Sequence, residues 1–435
     1  MSSALWIGCF GFVSLFGLII LKVPIGISMI IVGLCGFAWQ MGWGPALSLL
    51  AGDPAAYLGS VDLAAIPLFL LMGTFASTAG FSSDIYAVAS GFLGHRRGGL
   101  AYASVGGCAA FGCVCGSSLA TAATFAKVSL PEMLRRGYEP GFAAGSIAAG
   151  GALKNLIPPS LIMILYCVIT NTFILDLFAA AVVPALLMVL FNIATIALYA
   201  RFVVGAAPVS ERVPWAERLQ AIRRALPAFI LIAAVFGGLY SGTFTVNEAA
   251  SVAAVLALIF TLLRGRLNWS FVSQGLLEAA SVTAMVYTIL FGAAVFTYFM
   301  NLAGVPAALV GVVEGMKLSP IMTIIALMIV YLILGTIFDE LSAVVITLPF
   351  VLPIVVSAGY DPIWWGVIMA IQIELALIHP PLGILVFLLH RMAPSIPIGT
   401  IYRGVAPFIV ADLLVLIILI VAPEIALWLP HAIAK

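Results

Sequence analysis

Two pairs of adjacent prolines, Pro158-Pro159 and Pro380-Pro381, interrupt apolar stretches long enough for membrane helices, GGALKNLIPPSLIMILY at 150–166 and IELALIHPPLGILVFLL at 373–389. A proline inside a helix removes an N–H and clashes with the carbonyl four residues back, at a cost of about 3 kcal/mol or more. The first pair is therefore expected to free the carbonyls of Lys154 and Asn155, and the second those of Ala376 and Leu377. Orphan carbonyls facing lipid are too costly to persist, so such backbone survives only inside protein or against a cavity. Freed carbonyls are ligands for a hard cation such as Na+. The half-helix beyond each break presents about half a positive charge at its N-terminus and can hold an anion. For either break taken alone, a structural kink is the alternative.

The two breaks belong to a repeat. Gly137-Tyr138-Glu139-Pro140 falls on Gly359-Tyr360-Asp361-Pro362 at an offset of 222 residues. At the same offset Pro158-Pro159 falls on Pro380-Pro381, Pro131 on Pro353, and Ser117-Ser118 on Asp339-Glu340. Each unit reads as a hairpin, a Gly-Tyr-acid-Pro turn and a helix broken at Pro-Pro. Paired interrupted helices in two halves point to a transporter's binding site.

Ionisable residues within the apolar segments default to a functional reading. The coupling ion is expected at Gly116, Ser117, Ser118, Asn155 and Pro158 in the first unit, and at Gly335, Asp339, Ala376 and Pro380 in the second. The substrate is expected at Lys154, Ser160, Glu340, Glu374, His379 and Gly383. Alternatives stand beside several of these. Asp339 and Glu340 could cap or solvate a hairpin tip, and Glu374 could pair structurally with another break residue. Lys154 could pair with an acid, Asp339 and Glu340 being candidates, or meet a substrate carboxylate. His379 precedes a proline and is biased to extended backbone, where a structural hydrogen bond competes with a substrate contact. Asp412, alone in the last span, is read as structural, and Lys127 as reaching the cytoplasmic surface along its stem.

The elements that carry these residues follow from composition. The chain has 435 residues, 64% hydrophobic and 8% charged, against about a quarter charged in soluble domains. It reads as one integral, all-α polytopic domain over 1–435, and a net charge of +1 gives no reason to expect nucleic acid. Six cysteines in apolar segments, with no CxxC spacing, read as buried reduced thiols. The N-terminus reads as a retained span, since no basic residue precedes its apolar run and no small-residue cleavage site follows.

Placing the basic clusters (Lys22; Arg96-Arg97; Arg135-Arg136; Arg201; Arg212 to Arg224; Arg264 and Arg266; Arg391 and Arg403) in the cytoplasm gives a consistent path. Spans are expected near 4–21, 24–40, 62–80, 138–173, 177–200, 227–242, 245–262, 281–302, 362–390 and 404–429. The outgoing arm from Leu100 to Gly112 reaches only roughly 20 Å as a helix, short of a core of about 30 Å. Residues 98–136 therefore read as a re-entrant hairpin from the cytoplasm, and 319–359, with the tip GTIFDE, as one from the opposite face. The repeat is thus expected to be inverted. Pro214 to Leu226, Leu267 to Ala280 and Pro306 to Lys317 read as amphipathic helices in the interface.

The stretch CGSSLATAATFAKVSLPEMLRRGYEPGFAAGSIAAGGALKNLIPPS resembles a signature of the large membrane subunit of TRAP (tripartite ATP-independent periplasmic) transporters. GGLYSGTFTVNEAA at 237–250 resembles a second, and GTIFDELSAVVITLPFVLPI with GYDPIWWGVIMAIQIELALIHPPLG a third. The resemblance covers essentially the whole chain in order. It implies an elevator-type secondary transporter of the bacterial inner membrane, driven by Na+, with no organic cofactor and no enzymatic activity. It further implies a small four-helix membrane subunit and a periplasmic binding protein that delivers an organic acid. No block of four further spans precedes the first span, so the small subunit is expected on another chain. By the same analogy 98–200 (hairpin 98–136, broken helix 138–173) and 319–435 (hairpin 319–359, broken helix 362–390, last span) supply the moving parts. Segments 1–97 and 201–318 supply the scaffold. Lys154, Asn155, Gln372 and Leu385 depart from the commonest pattern. His379 does too, although the dicarboxylate-type branch also carries it, so a C4-dicarboxylate-like substrate is favoured. The nearest rival is a stand-alone Na+-coupled carboxylate symporter. A serine–histidine hydrolase or a channel would leave the repeat unexplained.

Overall fold

The computed structural model describes residues 3–203 and 205–433, and every regular element in them is helical. The chain opens with α1 (Ser3–Ile20), α2 (Ile25–Met41), α3 (Trp43–Leu58), α4 (Ala65–Ala79) and α5 (Phe81–Leu93). The first repeat follows as α6 (Gly99–Gly112), α7 (Ser118–Val128), α8 (Leu130–Arg135), α9 (Pro140–Ala152) and α10 (Leu161–Thr170). Next come α11 (Ile174–Phe202), α12 (Trp215–Tyr240), α13 (Val246–Leu263), α14 (Trp269–Leu302) and α15 (Val305–Gly315). The second repeat is α16 (Pro320–Ile337), α17 (Glu340–Ser357), α18 (Pro362–Ile378) and α19 (Ile384–Met392), before α20 (Ile398–Val421) and α21 (Glu424–Ile433). Among the described residues six helices are long and apolar enough to cross a membrane, seven with the bent pair α4–α5, and this makes the protein polytopic.

Local chemistry sets the same boundaries in both repeats. Gly137 and Gly359 take φ of 80° and 85°, a region where an L side chain is strained. Glu139 then caps α9 by accepting from the N–H of Gly141 and Phe142, and Asp361 caps α18 by accepting from the N–H of Ile363. Tyr138 stacks on Phe142 in the first unit and Tyr360 on Trp364 in the second, the same pair at the 222 offset. At the hairpin tips Ser117 caps α7 and its equivalent Asp339 caps α17. The Pro158–Pro159 and Pro380–Pro381 bonds are both cis.

The contacts of α20 give the relative direction of the two units. The start of α9 lies against the start of α20, where Gly141 and Gly404 meet backbone to backbone. Trp364, at the start of α18, donates its indole N–H to Leu419 near the other end of α20. Fifteen residues of helix separate positions 404 and 419, about 22 Å. Equivalent turns thus sit at opposite ends of one helix, and the repeat is inverted.

Several expected boundaries move. The segments 214–226 and 267–280 are not separate helices but the first turns of α12 and α14. Pro227 lies inside α12, close to the basic end of the molecule where water can satisfy the carbonyl it frees. Nothing breaks α14, and its 34 residues make a helix of roughly 50 Å, longer than a bilayer core. The span expected at 62–80 ends at Gly80, φ 83°, and the chain turns by 63° into the unforeseen α5. Gly42, φ 89°, likewise stops α2 before the unforeseen α3. The last span stops at Val421, and 424–433 form α21.

Two apolar clusters hold the assembly. The larger unites both broken helices with α4, α11, α13 and α20. The smaller gathers Phe12, Phe16, Phe296 and Phe299 of α1 and α14 around Phe338 and Phe350 of the second hairpin. Basic segments converge at one end, where Glu139 N–H donates to Ala206 O and Arg264 pairs with Asp84 at 2.5 Å.

Candidate functional site

The two hairpin tips and the first break meet on one side chain. Ser118 Oγ donates to Asn155 Oδ1 at 2.8 Å, and Asn155 Nδ2 donates to Glu340 Oε2 at 2.9 Å. Ser118 and Glu340 are equivalent under the 222 offset, so the repeats face each other across Asn155. Ser118 and Asn155 are buried, and Glu340 is half-buried.

The first break is closed. Every residue from 151 to 160 is buried. The carbonyl of Lys154, expected to be free, accepts the N–H of Ile157 at 3.2 Å in a tight turn. Lys154 Nζ donates to Pro159 O at 3.2 Å, and its side chain is 1% exposed. Its stem lies on Gly112, where a Cβ would come within 3.3 Å of Lys154 Cβ and Cγ. Among the described residues neither Asp339 nor Glu340 lies within ion-pair distance of the ammonium, and Glu340 reaches the break through Asn155.

The second break is open. Pro380, Pro381 and Leu382 are exposed, whereas Ala376 through Ile378 are buried. His379 is extended, φ −81° and ψ 139°, as its place before a proline requires. Its N–H goes to Leu375 O at 2.9 Å, and prolines offer no N–H to the carbonyls of Ala376 and Leu377. Gly335 of the second hairpin packs on Ala376, leaving room for no more than hydrogen at its Cα. Tyr402 of α20 donates its hydroxyl to Pro381 O at 3.0 Å. Gly383, φ 42°, starts α19.

The expected residues therefore divide. Ser118, Lys154, Asn155, Pro158 and Glu340 come together at the first break, with Gly116 and Ser117 on the adjoining tip. Gly335, Ala376, His379, Pro380 and Gly383 gather at the second. Asp339 is taken up as a helix cap: its Oδ1 accepts the N–H of Leu341 and Ser342 at 3.1 Å, and its Oδ2 the hydroxyl of Ser342. Ser117 Oγ likewise accepts the N–H of Ala120. Ser160 stands at the N-cap position of α10, with its buried hydroxyl unpartnered among the described residues. Glu374 does not open onto the break. Among the described residues it is fully buried, both its oxygens lack hydrogen-bond partners, and its acidic neighbour is Asp412. Asp412, the one ionisable residue between 404 and 421, thus has its acidic neighbour on another helix, α18.

Other readings shift as well. Cys9 and Cys35 are exposed on outward faces rather than buried, while Cys108, Cys115 and Cys167 are buried, and no disulfide joins cysteines among the described residues. Lys127 is exposed. Tyr402, and Gly73 of α4 packed against Gly116 at the first tip, escaped the sequence. No periodicity marks a residue that matters through one distant contact.

A cavity of 1180 Å³ lies apart from the breaks, at the end away from the basic segments. Asn171, Thr172, Thr245, Asn247, Thr297 and Asn301 line it, neutral and polar, with α17 forming one wall. Among the described residues that line it none is charged.

Comparison with known proteins agrees with this architecture. Residues 12–425 match the family model described as tripartite ATP-independent periplasmic transporter, DctM component. The chain is 36% identical over 370 residues to the C4-dicarboxylate TRAP transporter large permease protein DctM of Pseudomonas aeruginosa, covering 85% of this chain and 86% of that protein. It is 28% identical over 418 residues to the sialic acid TRAP transporter large permease protein SiaM of Vibrio cholerae, covering 95% and 96%. In fold it is similar to MtrF of Neisseria gonorrhoeae, TM-score 0.53 at 13% identity, over 90% of this chain and 85% of that one.

Proposed function

The chain belongs to the TRAP transporter large-permease family, and on that premise we propose that it imports a small organic acid of the C4-dicarboxylate type, driven by the Na+ gradient. It is a multi-pass protein of the bacterial inner membrane. The family is one component of a tripartite system. In the proposed reading a separate small membrane subunit completes the membrane part, and a periplasmic protein captures the acid and hands it over.

The observation that carries the substrate class is the higher identity to a C4-dicarboxylate permease, 36%, than to a sialic acid permease, 28%. The geometry adds two supports. Half-helix α19 starts beside the exposed second break, where the N–H groups of its first turn suit an anion. The second break leaves the carbonyls of Ala376 and Leu377 without backbone donors, the kind of oxygen a hard cation takes.

In the proposed cycle the hairpins and broken helices move as a unit against the remaining helices. The closed network of Ser118, Asn155 and Glu340 supports this reading, because it ties the two repeats into one body.

The test is uptake of labelled C4-dicarboxylates by liposomes holding this chain with its small subunit, with and without an inward Na+ gradient and with and without the binding protein. Uptake needing both is expected. Na+-driven uptake without the binding protein would turn the reading into a stand-alone symporter.

A further inference from the structure

We propose that the ammonium of Lys154 is a tethered cation that fills the first break in place of a coupling ion, so that Na+ dependence falls on the second break; this rests on the Na+-coupled reading above.

The two breaks are equivalent in backbone and differ in charge. Under the 222 offset Pro159 corresponds to Pro381 and Lys154 to Ala376. The carbonyl of the second proline accepts a side-chain donor in both units, Lys154 Nζ at 3.2 Å in one and Tyr402 hydroxyl at 3.0 Å in the other. The first donor can carry a positive charge, and the second is a neutral phenol. At position 376 there is only a methyl group, packed on Gly335.

The space and ligands of the first break are already taken. Its residues are buried throughout, the Lys154 carbonyl is held by Ile157 N–H, and both ends of the Asn155 amide are hydrogen-bonded. Lys154 Nζ occupies the Pro159 carbonyl, and the acid of the adjoining network is Glu340, held by Asn155 at 2.9 Å. A free cation beside it would meet a like charge in a low-dielectric interior. None of these conditions holds at the second break. Its prolines are exposed, and no ionic side chain reaches its carbonyls among the described hydrogen bonds.

The experiment counts Na+ bound per chain by equilibrium binding of radiolabelled Na+ to purified protein, wild type against Lys154→Ala, with choline as the balancing salt. One additional Na+ per chain in Lys154→Ala is expected. The same count in both overturns the proposal. The wild-type count bears separately on the coupling reading: a wild type that binds none refutes Na+ coupling, even where the variant gains one. Lys154→Ser is measured alongside in case the alanine variant does not fold. Folding of either variant in Na+ but not in choline supports the proposal. Failure of both in either salt makes Lys154 a structural residue and overturns it.

Discussion

Asn155 donates to Glu340 across 185 residues of sequence, at 2.9 Å, and so joins the first broken helix to the tip of the second hairpin. The same amide accepts from Ser118. Removing a buried partner leaves the other groups unsatisfied, at about 1–3 kcal/mol. Asn155→Ala is expected to lower the thermal midpoint of the purified protein by that amount. It should also cut uptake about tenfold or more, which corresponds to ~1.4 kcal/mol on the rate. A cycle of Ser118→Ala, Asn155→Ala and the double variant should show coupling. Simple additivity would mean that Ser118 and Asn155 do not act as one network.

The crossing of α9 and α20 depends on three glycines, Gly141, Gly145 and Gly404. A Cβ on Gly404 would overlap the Gly141 carbonyl, and one on Gly145 would overlap Gly404 itself. Gly404→Ala must separate the helices, at a cost of about 1–3 kcal/mol or more. Gly399→Ala, on the same helix with no atom within 4 Å of its added methyl, is the control and should be neutral. Differential scanning fluorimetry of the two variants checks this, and equal midpoints would refute the close crossing.

Among the described residues Glu374 and Asp412 are two buried carboxyl groups without a basic partner and with three unpartnered oxygens between them. Like groups placed together out of water oppose each other's charge. Asp412→Asn is expected to raise the thermal midpoint, by about 1 kcal/mol or more in stability. A fall would mean that the carboxyl of Asp412 makes an interaction the amide cannot replace.

The start of α13 is held by a capping box, in which Thr245 Oγ1 accepts the N–H of Glu248 and the Glu248 carboxylate accepts the N–H of Thr245 at 2.8 Å. Losing such a cap costs about 0.5–2 kcal/mol. Thr245→Ala is expected to speed hydrogen exchange in the first turn of α13, and an unchanged rate would mean that the cap does not hold this end.

Much of this protein was legible in the sequence because its constraints are local or periodic. Apolar length gives membrane helices, a proline cannot donate an N–H, and a Gly-Tyr-acid-Pro turn builds the same cap wherever it occurs. The 222 offset between Pro158 and Pro380 therefore carried the repeat, both breaks and both hairpin tips. The boundaries of α3, α5 and α14 were less legible, since composition alone does not say whether an amphipathic stretch continues a neighbouring span or bends away at a glycine.

The partners of the polar residues were decided only by the tertiary structure. Lys154 had two acids within plausible reach, and packing on Gly112 set its ammonium beside Pro159 O in the neighbourhood of Glu340. Glu374 read as a break residue until α20 brought Asp412 against it. Tyr402 carried no signal, because its one telling contact reaches back 21 residues to Pro381. A break in a helix is written in the two residues that make it. What fills the break depends on which distant side chain the fold delivers there, and that is fixed by packing rather than by spacing.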